Sequence, residues 1–114
     1  MKENIILEKC IQFTVRMSKL SEYLQPKQRA IADQIFRSGT SIGANVAESD
    51  YASTRADFIN KLKIAEKEAG ETAYWLRVLK VCKFIDEKQF DSLFSDVQEL
   101  QRLIGASIKT VKRQ

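Results

Sequence analysis

Phe58, Leu62, Ala65, Ala69, Thr72, Leu76 and Leu79 are separated by alternating steps of four and three. A helix brings such residues onto one face, whereas a strand needs a period of two. The spacing predicts a helix over about residues 54–83 with one continuous seam. Ile6, Cys10, Phe13, Met17, Leu20 and Leu24 repeat the pattern and predict a helix over about 4–24. Ile31, Ile35, Ile42 and Val46 do so over about 26–50. Phe90, Leu93, Val97, Leu100, Ile104, Ser107 and Val111 do so over about 87–111. An apolar stripe on one helix must be covered by another element, and four such stripes can cover one another. The expectation is an all-α fold, an antiparallel up-down-up-down four-helix bundle, because the links between segments are short. The mean step of 3.5 residues favours left-handed packing with shallow crossing angles. With 114 residues the chain suits a single domain, 1–114, large enough to bury a core unaided. One proline and four glycines are too few for the frequent turns of an all-β fold.

Local signals mark the ends of these segments. Asn4 is placed to cap the first helix. Pro26 suits the first turn of the second, where a missing N–H costs nothing. Thr54 with Asp57, and Asp86 with Gln89, have the three-residue spacing of capping boxes. Lys109, Lys112 and Arg113 suit a helix C-terminus, where cations meet the negative end of the dipole.

The segment Arg37-Ser38-Gly39-Thr40-Ser41-Ile42-Gly43-Ala44-Asn45-Val46-Ala47-Glu48 is rich in residues that weaken a helix interior. A flexible Gly/Ser loop is one reading. A phosphate-binding loop is another, but the second glycine comes a residue early and no lysine follows it. The best reading is a helix with a small-residue face. Gly39, Gly43 and Ala47 recur every fourth residue and lie on one side, where a neighbouring helix can approach closely. Arg37, Asn45 and Glu48 are the polar residues expected to be partly buried there, and burial demands partners for them.

Net charge is +4, from 19 basic and 15 acidic residues mixed along the helices. That balance permits nucleic-acid contact without demanding it. There is no histidine, which removes the usual general base, metal ligand and pH switch. Cys10 and Cys82 each sit beside apolar residues, which predicts buried, reduced thiols. The opening Met1-Lys2-Glu3-Asn4 carries both signs of charge, and the apolar run after it is interrupted at Glu8 and Lys9. No signal peptide, no membrane contact and a cytoplasmic location are therefore expected.

Lys2, Lys9 and Arg16 recur every seven residues beside the first seam. They either cover the core edge and pair with acids on a neighbour, or form a basic ridge for RNA. Lys19, Lys63 and Lys67 are further candidate phosphate contacts, the last two on one face of the third helix. Tyr74 and Trp75 lie partly off the third seam, and either close the bundle or anchor a subunit interface. Glu48, Glu68 and Glu71 offer carboxylates, but a di-metal bundle wants Glu-x-x-His pairs. Buried hydrogen bonds or subunit pairing account better for Glu68 and Glu71. No catalytic residue, metal ligand or cofactor is assigned.

The segment 37–48 resembles the central signature of the four-helix bundle proteins linked to 23S rRNA intervening sequences. The likeness continues through Asp57-Phe58-Ile59-Asn60-Lys61-Leu62, Ala65-Glu66-Lys67-Glu68-Ala69 and Glu71-Thr72-Ala73-Tyr74-Trp75-Leu76, and covers nearly the whole chain. The resemblance implies an antiparallel bundle that assembles into a ring, often a homopentamer. The family it resembles has a related, more basic branch, the accessory proteins of diversity-generating retroelements, which bind nucleic acid and a reverse transcriptase. The expected function is thus that of a non-enzymatic, ring-forming protein contacting RNA or a nucleoprotein through basic residues. The alternative is a protein-interaction scaffold with no nucleic-acid role.

Overall fold

The computed structural model describes residues 4–114, so Lys2 lies outside the described residues. Four helices follow one another: α1 Ile5–Leu24, α2 Arg29–Ser49, α3 Arg55–Val81 and α4 Glu87–Lys112. Each packs on the next, and α4 closes back on α1; α1 and α3 stand on opposite corners, as do α2 and α4. The bundle measures 46 × 21 × 20 Å. Cross-helix contacts give the direction of each neighbour. Arg37 reaches Glu71 while Glu48 reaches Lys61, so α2 and α3 run antiparallel. Lys9 meets Glu99 and Arg16 meets Asp96, so α1 and α4 do too.

The helix starts follow their side chains. Asn4 Oδ1 accepts from the Leu7 N–H at 3.0 Å, and Thr54 Oγ1 from Asp57 N–H at 3.0 Å. Asp86 and Gln89 complete a reciprocal capping box. Two boundaries differ from expectation. Pro26 is not in the first turn of α2, which begins at Arg29. The N–H groups of Lys27 and Gln28 both bond back to the Leu24 carbonyl at 2.8 Å, so this segment finishes α1 rather than starting α2. The third helix stops at Val81 rather than near Lys83. Lys83 takes φ 63°, and Phe84 N–H reaches back to the Leu79 carbonyl at 3.0 Å. That is the six-to-one bond of a Schellman ending, in which a left-handed residue reverses the chain.

The segment 37–48 is helical throughout. Two of its polar side chains bond to their own helix: Thr40 Oγ1 donates to the Phe36 carbonyl at 2.7 Å and Asn45 Nδ2 to the Ser41 carbonyl at 2.9 Å. Its small face lies against α1. A Cβ on Gly39 would stand 2.6 Å from Met17 Cγ, and one on Gly43 would stand 3.0 Å from Cys10 Cβ. Bare hydrogens there let the two helix backbones close in, and the packing offsets the weak propensity of the segment.

The core is the set of seams meeting in the middle, with Met17, Leu24, Ile35, Ile42, Leu76, Leu79 and Ile104 wholly buried. One seam shifts. After Ile104 the buried position of α4 is Ile108 instead of Ser107, because a step of four keeps a branched aliphatic side chain inside. The polar residues of the core are paired. Thr72 Oγ1 lies 2.9 Å from Ser38 Oγ, joining α3 to α2, and 2.8 Å from the Glu68 carbonyl oxygen. Cys10 is buried, and the loss of solvent pushes its thiol up to about 12, so it stays protonated. Cys82 departs from expectation: it caps α3 at the surface and is exposed.

Candidate functional site

Two surfaces collect the side chains singled out by sequence, and a third emerges only from the packing. The first lies over the α2–α3 seam. Arg37 on α2 reaches Glu71 Oε1 at 2.5 Å and Glu68 Oε1 at 3.2 Å on α3. The Trp75 indole N–H donates to Glu71 Oε2 at 3.0 Å, one turn further on. Glu68 and Glu71 are half-buried, while Arg37 is exposed, against the expectation of burial. Glu48 is also exposed and pairs with Lys61 at 2.8 Å. Long side chains on outward positions of a helix can reach across to a partner without entering the core. Asn45 is half-buried as expected.

The hydrogen bonds from Arg37 and then from Trp75 hold the Glu71 carboxyl below its ordinary value. A carboxylate so lowered stabilises the fold above the ordinary carboxylate range, and that contribution is lost as pH falls through the lowered value. Trp75 is the sole tryptophan, so it reports on this group. Its emission is expected to change with a midpoint below 4.5, the ordinary value for the carboxyl, and Arg37→Met to move the midpoint upward. An unchanged midpoint in Arg37→Met would show that Arg37 does not set it.

The second surface is the proposed basic ridge. Lys9 pairs with Glu99 at 3.3 Å. Arg16 pairs with Asp96 at 2.6 Å and donates to Ser92 Oγ at 2.9 Å. Both charges are thus taken up by α4, along the thinnest of the four seams. Lys19 is exposed on the outer side of α1, and Lys63 and Lys67 are exposed on α3. The bundle does not bring these residues into one ridge. What sequence reading missed is that Lys63 lies beside Lys112, whose ammonium it pulls below the ordinary lysine value. Sequence places Lys112 only as a cation at a helix C-terminus.

The third surface is an open groove of about 530 Å³ between α3 and α4. Gly70, Tyr74, Arg77, Val78, Val81 and Phe94 form most of its lining. Tyr74 is 57% exposed and Val81 79% exposed. The adjacent rings of Tyr74 and Trp75 serve different surfaces: Trp75 leans on the core, and Tyr74 opens into the groove. A Cβ on Gly70 would meet nothing within 4 Å, so this glycine is not needed for packing within the chain. In the sequence, the signal available for an open surface is a glycine in the middle of α3. Among the described residues, no three Cys, Asp or Glu side chains gather as metal ligands, and no helix is long and apolar enough to cross a membrane.

The family profile described as 23S rRNA-intervening sequence protein matches residues 2–106. The chain belongs to that family. Its bundle is similar to the crystal structure of a protein of unknown function from the S23 ribosomal protein family of Bacteroides thetaiotaomicron. The two share 44% identity over 92% of this chain and 99% of the other, with a TM-score of 0.89. No curated protein matches the chain. The likeness to that solved structure shows a shared fold.

Proposed function

We propose that this family member is a non-enzymatic, ring-forming scaffold whose subunits associate through the groove between α3 and α4. The observation that carries the reading is the groove itself. The core of the bundle is closed, yet Tyr74 and Val81 remain outside it beside Val78 and Phe94. Exposed aromatic and aliphatic side chains that gather in one concavity suit a protein contact. The candidate basic ridge supports the same choice from the other side, because Lys9 and Arg16 are already engaged by α4.

The ring is the assembly that the family resemblance implies, and five copies its expected number. Light scattering on the purified chain is expected to give a mass about five times 13.1 kDa. A 13.1 kDa particle at tens of micromolar would end the ring reading.

A second reading rests on Lys63, Lys67 and Lys112. Lys63 lies beside Lys112 and draws its ammonium below the ordinary value, so a bound anion would relieve the repulsion between the two. Repeated around a ring, a weak phosphate contact gains from effective concentration. Binding to structured RNA would then weaken steeply as salt is raised. Absence of binding at low salt leaves the protein scaffold as the function.

A further inference from the structure

We propose that the outer face of α1 in one copy docks along the outer face of α3 in the next, running parallel to it. In this register Glu8 meets Lys63, Val15 covers Gly70 and Glu22 meets Arg77. The proposal rests on the ring reading above and supplies the second half of its interface.

Opposite its core seam, α1 carries a second stripe: Glu8, Ile11, Val15 and Glu22. Ile11 is 51% exposed and Val15 50% exposed, so this apolar centre is uncovered in the single chain. Its two ends are acidic. The outer face of α3 is basic where α1 is acidic, with Lys63 and Lys67 at one end, Arg77 at the other, and Gly70 and Tyr74 between Lys67 and Arg77. The two acids are two heptads apart, and so are Lys63 and Arg77. At 1.5 Å per residue both pairs span about 21 Å. Among the described residues, none of these four charges forms an ion pair within its own chain.

The α1 stripe cannot pair with its own copy, since acid would meet acid. The contact is therefore between unlike faces, the kind that builds rings or open fibres. Since α1 and α3 stand on opposite corners of the bundle, one chain can offer both faces at once.

Charge alone permits two directions of docking. Symmetry chooses between them. Within one chain α1 and α3 run the same way, as first and third helices of an alternating bundle. Copies related by rotation in a ring of five therefore set α1 parallel to the neighbouring α3. Antiparallel docking would turn each copy upside down relative to the last and leave an open fibre. The parallel register also places Lys19 at the Tyr74 ring, in reach of a cation–π contact. It sets Tyr23, which is 48% exposed, beside Val78 in the apolar groove.

Arg77→Glu tests the contact by light scattering across a dilution series, with circular dichroism to confirm the fold. It is expected to raise the concentration needed for assembly at least tenfold. Glu22→Arg in the same chain is expected to restore assembly, while Glu8→Arg is not. Normal assembly of Arg77→Glu overturns the proposed contact while leaving a ring built by other surfaces. Restoration by Glu8→Arg instead of Glu22→Arg overturns the parallel register. A wild-type chain that stays monomeric ends the ring reading itself. Loss of RNA binding by Arg77→Glu with its mass unchanged also overturns the contact, and assigns Arg77 to RNA.

Discussion

Gly39→Val is expected to destabilise the folded chain by about 3 kcal/mol or more, at the upper end of the range for overpacked cores. The reason is the approach of α1. The first added carbon would stand 2.6 Å from Met17 Cγ and 2.7 Å from Met17 Sδ, and Met17 is wholly buried. The valine methyls would need further space in the same gap. Gly39→Ala poses a closer contest. Overpacking costs about 1–3 kcal/mol, whereas replacing a helical glycine by alanine returns about 1 kcal/mol. Net destabilisation by about 0–2 kcal/mol is the expected result. Gly70→Ala supplies the contrast, since open space surrounds that position. In chains diluted below assembly, where no neighbour's Val15 covers Gly70, the helix preference acts alone and should raise stability by about 1 kcal/mol. Urea unfolding at one fixed protein concentration separates these cases, since assembly would otherwise change the apparent stability. Equal midpoints for Gly39→Val and wild type would refute the close α1–α2 contact.

Thr72→Val is expected to cost about 1–3 kcal/mol, the penalty for stranding a buried polar partner. Valine keeps the shape of threonine but removes the hydroxyl 2.9 Å from Ser38 Oγ. Ser38 is then left with a long contact of 3.4 Å to the Ile35 carbonyl. Adding Ser38→Ala should recover most of the loss, because replacing both partners by apolar groups strands neither. The measurement is again the urea midpoint, compared at an unchanged slope. A double variant no more stable than Thr72→Val alone would show that the cost lay in packing rather than in the lost hydrogen bond.

Much of the fold was legible in residue spacing. The α3 seam from Leu62 to Leu79 is buried position for position. The caps at Asn4, Thr54 and Asp86 act as their side chains require. Such features are local: a period or a cap depends on residues within one or two turns. The misplaced ends had a different origin. The stop after Val81 depends on Lys83 accepting a left-handed conformation, which spacing does not reveal. The exposure of Cys82 follows from that same stop, because the chain turns there and no helix covers it.

The surfaces were less legible. Sequence marks Lys9 and Arg16 as basic positions beside a seam, but the charge of a surface depends on what faces it. Asp96 and Glu99 arrive there only when α4 closes on α1. Likewise, the groove beside Tyr74 exists only because Phe94 of α4 comes alongside it.

By itself, then, the order of residues determined that this chain makes four helices, which face of each is apolar, and that 37–48 is narrow enough to admit a neighbour. Those properties repeat within a few turns and are carried by the chain wherever it lies. Tertiary structure alone decided that the neighbour is Met17 and Cys10 of α1, that Lys9 and Arg16 pair with acids of α4, and that the outer face of α3 stays open within the single chain. These are contacts between residues tens of positions apart, so they exist only once the helices have been brought side by side.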